Sequence, residues 1–241
     1  MILNIDFGNS RLKWCLNENH NQGVFDASVM ESSLRSLPWA VINSVRIASV
    51  GDLKLTKKIR ALCRDFSNPD CTVSQVDLMA IPDWFSLGKT DASQIGVDRV
   101  MAMLGAHEPN NSYMVIDAGT AVTIDYVSNS THQGGYIVPG LGLARRALME
   151  QTARVGQLDC AVYSARLEPG YETQSAVEHG IRRSLITFCQ RLIDCPPTET
   201  IDRVVLSGGD SKWVAAQLSG SLLIEPDLVF HGMNRFFTDL S

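Results

Sequence analysis

Several familiar signals are missing from this chain, and each absence removes a class of function. None of the six cysteines forms a CxxC pair, and their spacing matches no zinc site. Cys15, Cys63, Cys71, Cys160, Cys189 and Cys195 are therefore expected to be reduced, partly buried thiols of a cytoplasmic protein. The chain has no basic block, and its net charge of -5 speaks against a nucleic-acid surface. No apolar run is long enough to span a membrane. The opening Met1 to Phe7 contains Asp6 and lacks a basic leader, unlike a signal peptide. There is no GxxxxGK[ST], which excludes a Walker-type loop, and no GxGxxG after the first apolar run. Tandem repeats of short period and low-complexity tracts are also absent.

What is present fits an α/β protein of one large or two ordinary domains, since 241 residues suffice for either. The pattern predicts a hairpin of Ile2 to Phe7 and Leu12 to Leu16, then a strand near Gly23 to Phe25. A short helix is expected over Ser32 to Leu37, a strand over Ser44 to Val50, and a helix over Lys54 to Phe66. Cys71 to Val76 reads as a further strand, and Pro82 to Asp91 as a loop. Apolar residues at helical spacing (Val97, Val100, Met101, Leu104) predict a helix from Gly96 to about His107. The turn-rich break Glu108 to Ser112 places a domain boundary there, giving domains 1–110 and 111–241.

The second half restarts with strands Tyr113 to Asp117 and Ala121 to Val127. A third, Gly134 to Val138, is followed by a helix opened by Pro139-Gly140 and running to about Arg154. Ala176 to Ile193 reads as another helix. Arg203 to Leu206 is a strand, followed by a helix over Trp213 to Leu218 and a last strand, Leu222 to Ile224.

One device occurs twice. Ile5-Asp6-Phe7-Gly8-Asn9-Ser10 and Ile116-Asp117-Ala118-Gly119-Thr120 each end a strand in Asp-x-Gly, and a second strand follows at once. Glycine permits the tight turn and a close ligand approach, while free N–H groups in such a turn form an anion nest. Each aspartate adds a carboxylate that could hold a cation beside the anion. Taken alone, either hairpin could be an ordinary turn that favours Asp and Gly; the pair points to a phosphate clamp. Leu206-Ser207-Gly208-Gly209-Asp210 stands at another strand end before a helix. There, Gly208 and Gly209 would let a flat base or ribose lie against the backbone. Gly96-Val97-Asp98-Arg99 opens a helix. Asp98 there could simply complement the helix dipole; beside a bound phosphate it could take a proton from a substrate hydroxyl, with Arg99 binding an anionic group.

The ordered set Asp-x-Gly-Asn-Ser, Gly-Val-Asp-Arg, Asp-Ala-Gly-Thr, Gly-Gly-Tyr-Ile-x-Pro-Gly and Ser-Gly-Gly-Asp resembles type III pantothenate kinase, from Met1 to about Asp210. That family belongs to the superfamily of acetate and sugar kinases, heat-shock chaperone ATPases and actin. The resemblance implies two ribonuclease-H-like (actin-like ATPase) domains with a cleft between them. It implies ATP-dependent phosphorylation of pantothenate, the first committed step to coenzyme A. It further implies a homodimer, a divalent cation such as Mg2+, and K+ or NH4+. By motif, Asp6, Phe7, Gly8, Asn9, Ser10, Arg11, Leu12 and Lys13 would form the first phosphate loop, with Asp6 facing magnesium and the phosphates. Gly96, Val97, Asp98 and Arg99 would touch pantothenate, with Asp98 as proton acceptor. Asp117 would hold the monovalent cation, and Thr120 would contact ATP. Thr173 matches the family's substrate-binding threonine; as a residue type it also suits a helix cap.

One departure stands out. The family usually carries a tyrosine seven residues before the Gly of Gly-x-Asp-Arg, with a proline between; here Lys89 and Ala92 occupy those positions. Lys89 could attract the carboxylate of pantothenate, and Tyr136 or Trp84 could supply the aromatic wall. Two other readings stay open: a nucleotide-binding regulatory protein like the Bvg accessory factors, and a kinase for another small hydroxyl substrate. His107, His132 and His179 lack metal-ligand spacing and are expected at surfaces or helix ends. Arg145-Arg146 is expected to be a solvated or interface pair.

Overall fold

A hairpin begins the first unit. Strand β1 (Ile2–Phe7) pairs antiparallel with β2 (Arg11–Leu16), setting Phe7 opposite Leu12 and Asp6 opposite Lys13. β2 continues into β3 (Asn21–Asp26), while β4 (Ser44–Ser49) and β5 (Thr72–Gln75) extend the sheet in parallel on the other side of β1. The strand order is β3-β2-β1-β4-β5. The computed structural model describes residues 1–8, 11–16, 21–50, 53–152, 166–197 and 200–239.

The two-residue period of β1 sorts its side chains onto two faces. Leu3, Ile5 and Phe7 are fully buried against helices α1 (Met30–Arg35) and α2 (Leu53–Phe66), through Met30, Leu34, Ile59 and Cys63. The opposite face carries Asn4 and Asp6. Asn4 Nδ2 donates to Asn234 Oδ1 (3.0 Å) on the last helix, α7 (Leu228–Asp239). That helix packs on α3 (Val97–Ala106) with backbone close to backbone. A Cβ on Gly232 would lie 2.6 Å from the carbonyl carbon of Met101, and one on Gly105 would overlap the Leu228 carbonyl.

The second unit repeats the plan. β6 (Tyr113–Ala118) pairs antiparallel with β7 (Ala121–Ser128), which pairs antiparallel with β8 (Thr131–Pro139). β9 (Arg203–Ser207) and β10 (Leu222–Ile224) add in parallel on the far side, in the order β10-β9-β6-β7-β8. Counted from its own first strand, each sheet is therefore 3-2-1-4-5. Helices α4 (Leu141–Gln151), α5 (Thr173–Asp194) and the short α6 (Ser211–Ala215) complete this unit. β6 is buried on both faces, as the central strand of a covered sheet must be.

The compact units are Met1–His107 with Asp227–Ser241, and Glu108–Pro226. The range expected for the second domain, 111–241, differs at its end, because α7 makes its contacts with α3 and β1. Other elements shift by a few residues. β8 begins three residues before Gly134 and bends there, with a register shift at Tyr126/Val127 and Gly134 at φ +110. α5 starts at Thr173 rather than Ala176, because Glu172 and Ser175 form a capping box. α6 spans Ser211–Ala215 rather than Trp213 to Leu218. The expected end of the α4 helix near Arg154 lies outside the described residues.

Candidate active site

In the first unit, the Gly8 amide donates to the Arg11 carbonyl (3.0 Å) and closes the hairpin. Phe7 and Leu12 are fully buried, so their side chains anchor the turn and only their backbone can meet a ligand. Asp6 lies on the other face with its carboxylate about one-tenth exposed, and Lys13 Nζ stands 3.8 Å from its Oδ2. The register produces this pair, since Asp6 and Lys13 are directly opposite. Arg11 opens β2 with an exposed side chain. Asn9 and Ser10 lie outside the described residues.

Gly96 precedes α3 in extended backbone, and Asp98 stands in the first turn. Val97 is buried and fastens this turn to the core. Asp98 and Arg99 are half-buried, and Asp98 Oδ1 accepts from the Arg99 amide (2.8 Å). A carboxylate there complements the positive end of the helix dipole. A pocket of about 510 Å³ opens beside this turn; Ser49, Val50, Asp77, Ala92, Gln94 and Gly96 are among its lining. Lys89 is exposed on the preceding segment.

In the second unit, the Gly119 amide donates to the Ala121 carbonyl (3.1 Å) and closes the equivalent turn. Asp117 is half-buried and Thr120 exposed. Two other glycines close on this turn. Gly140, heading α4, donates its amide to the Thr120 carbonyl (3.1 Å), and a Cβ there would lie 2.7 Å from that oxygen. Gly208 follows β9 with φ +90, and a Cβ there would overlap the Ala118 carbonyl and the Asp117 carboxylate. The Asp210 amide donates to the same Ala118 carbonyl (3.0 Å). Thus Asp117, Thr120, Gly140 and Gly208 converge at one end of this sheet. Gly209 is open: nothing would stand within 4 Å of a Cβ there. Gly140 was legible as part of a motif but not as a wall of this turn.

Thr173 is the first residue of α5 and is exposed, lining an apolar groove of about 800 Å³ with Val138, Ala176 and Phe188. The capping bonds belong to Glu172 and Ser175, so the expectation of a threonine cap is corrected.

Three further expectations change. His132 is not at a surface: it is buried on β8, with its Nε2 2.9 Å from Asp125 Oδ1. Arg145 is not solvated; it pairs with Glu178 Oε1, while Arg182 Nη1 lies 3.0 Å from Oε2 of the same buried carboxylate. Trp84 is committed elsewhere, donating from Nε1 to Asp239 Oδ2 (2.6 Å) and stacking 4.4 Å from the His107 ring. Tyr136 is 40% exposed and meets Tyr126 and Phe188 edge-on. Among the described residues no helix is long and apolar enough to cross a membrane.

Two sheets of 3-2-1-4-5 order, each with a glycine turn after its central strand, define an actin-like ATPase fold. Solved structures agree. A conserved Baf-family protein from Campylobacter jejuni superposes with TM-score 0.67 at 20% identity, covering 99% of this chain and 98% of its own. MreB 5 of Spiroplasma citri bound to AMPPNP gives TM-score 0.52 at 8% identity, over 99% and 96%. Sequence comparison narrows the class. The family model of type III pantothenate kinase matches residues 2–195. The type III pantothenate kinase of Pseudomonas syringae is 34% identical over 97% of both chains, and that of Acinetobacter baylyi 31% over 96% of both. The chain belongs to the type III pantothenate kinase family, whose members phosphorylate pantothenate in coenzyme A biosynthesis.

Proposed function

We propose that the protein transfers the γ-phosphoryl group of ATP to the terminal hydroxyl of pantothenate, with Asp98 as the proton acceptor. The observation that carries this reading is the half-buried Asp98 at the head of α3, beside a pocket of about 510 Å³. The hydroxyl oxygen attacks the γ-phosphorus and its proton passes to the Asp98 carboxylate. The bond from the γ-phosphorus to the bridging oxygen breaks, and ADP leaves with that electron pair. Such a transfer needs chiefly positioning, charge neutralisation and a base. Arg99 binds an anionic group of the acceptor, and Lys89 draws in its carboxylate. Gly96 and Val97 shape that site, and Thr173 contributes a hydroxyl to acceptor binding.

The phosphates rest on backbone amides of the first hairpin, from Asp6 to Lys13. Asp6 supplies a hard oxygen of the kind magnesium prefers, and Lys13 offsets its charge. Bound to ATP, magnesium neutralises the phosphate oxygens. Among the described residues no cluster of three or more His, Cys, Asp or Glu could cage a metal, which suits an ion held mainly by phosphates and water. Thr120 contacts ATP at the second turn, Asp117 holds K+ or NH4+, and Gly208 and Gly209 receive the adenosine. The protein acts in the cytoplasm as a homodimer.

The test is Asp98→Asn assayed with ATP and pantothenate. The variant keeps its fold and loses about 10²- to 10⁴-fold in kcat, the usual share of a general base. Turnover close to the parent's removes Asp98 from this role.

A further inference from the structure

From Gly88 to Gln94 the segment leading into Gly96 has no buried residue, so apolar burial does little to fix its path there. Asp91 organises it. Its Oδ1 accepts from the Ser93 amide and the Ser93 hydroxyl, both at 2.8 Å. Its Oδ2 accepts from Gln94 Nε2 at 2.9 Å. Its carbonyl accepts from the amides of Gln94 (3.0 Å) and Ile95 (3.2 Å). These bonds close a turn over residues 91–95, and the turn delivers buried Ile95 and then Gly96 to the head of α3. Ala92, Ser93, Gln94, Ile95 and Gly96 all line the pocket of about 510 Å³. The bonds from Ser93 and Gln94 hold the Asp91 carboxyl below the usual carboxylate range, so it is an ionised acceptor at neutral pH.

We propose that Asp91 is a positioning residue for the acceptor substrate: by capping the 91–95 turn it fixes the wall of the acceptor pocket. This rests on the reading that Gly96 to Arg99 binds pantothenate. Asp91 acts through the turn, so its loss weakens acceptor binding and leaves ATP binding alone. The geometry also offers a rescue. Ala92 is the second residue of the turn and has no positive φ. Proline's fixed φ suits that position, and its rigidity replaces order that the side-chain bonds supply.

The experiment is steady-state kinetics with the full chain, together with amide hydrogen exchange at Ser93, Gln94 and Ile95. Asp91→Ala is expected to raise the KM for pantothenate about five- to tenfold, the equivalent of one lost cap, with the KM for ATP within about twofold. Asp91→Asn keeps an acceptor oxygen and stays near the parent. Asp91→Ala with Ala92→Pro recovers most of the lost affinity and slows the exchange again. An unchanged pantothenate KM in Asp91→Ala despite faster exchange overturns the proposal, as does a parallel rise in both KM values. Failure of the underlying reading shows separately, as parent-like turnover in Asp98→Asn.

Discussion

Gly208 and Gly209 are neighbours of the same type, yet the structure gives them opposite tolerances. Gly208 has φ +90, where an L side chain is strained by about 1–2 kcal/mol. A Cβ there would also lie 2.6 Å from the carbonyl carbon of Ala118 and overlap the Asp117 carboxylate. The Ala118 carbonyl is held in place by the ladder of β6 and by the Asp210 amide. Relief therefore requires a backbone shift, which adds about 1–3 kcal/mol of overpacking. Together these give a loss of about 2–5 kcal/mol for Gly208→Ala. At about 2–4 °C per kcal/mol for a chain of this size, the melting temperature falls by roughly 4–20 °C. The Asp117 carboxylate is displaced as well; a misplacement near 1 Å costs about a hundredfold in kcat, and the K+ dependence proposed for Asp117 should weaken with it. Gly209→Ala meets nothing within 4 Å and has no positive φ, so its stability stays within about 0.5 kcal/mol of the parent. Its effect falls instead on the KM for ATP, where the new methyl lies against the proposed adenosine surface. Thermal denaturation followed by circular dichroism, with kinetics on both variants, separates the two glycines. A Gly208→Ala protein that melts within about 2 °C of the parent and keeps its kcat refutes the packing argument.

Glu178 is buried between Arg145 and Arg182, so Glu178→Ala leaves both guanidiniums short of their counter-charge. Urea denaturation should show a loss of about 3–5 kcal/mol, and a loss below about 1 kcal/mol would mean that the trio is not a buried network. Burial pushes the Cys63 thiol up to about 12 and the Cys189 thiol to about 11. Both then stay protonated in the folded chain at pH 8, and only the exposed Cys195 and half-buried Cys71 should react quickly with a maleimide among the described cysteines. Because these two folded values lie above the unfolded one of 9.0, their stabilising contribution is complete below pH 9 and is lost as pH rises towards 11–12. A denaturation series from pH 8 to 11 tests the sign, and rising stability across it would contradict the burial of these thiols.

The sequence carried much of the fold wherever the signal was local. The alternation in Ile2 to Phe7 and the glycine turns at Gly8 and Gly119 specify two hairpins, and both are present. The Val97, Val100, Met101, Leu104 period specifies α3. Asp-x-Gly, Gly-Val-Asp-Arg and Ser-Gly-Gly-Asp are contiguous, so each motif could be placed on its strand end or helix head before any contact was known. Helix α7 is not among the elements expected from the sequence, although Leu228, Val229, Met233 and Phe236 repeat at helical spacing. What it packs against could not be read locally, because its partner α3 lies more than a hundred residues earlier.

Tertiary structure alone decided the pairings between distant residues. Nothing near Arg145 in the chain announces Glu178, and nothing near Trp84 announces Asp239. His132 looks like a surface histidine until the β7–β8 ladder buries it against Asp125. The same holds for the glycines. Their number and positions are in the sequence, but only the packed sheet shows that Gly208 and Gly140 are walls of the Gly119 turn while Gly209 is open. Local chemistry is determined by neighbours along the chain, through turn preference and side-chain period. Burial, ion pairing and close backbone approach depend on which strands and helices meet, and that choice is made collectively by the packed core.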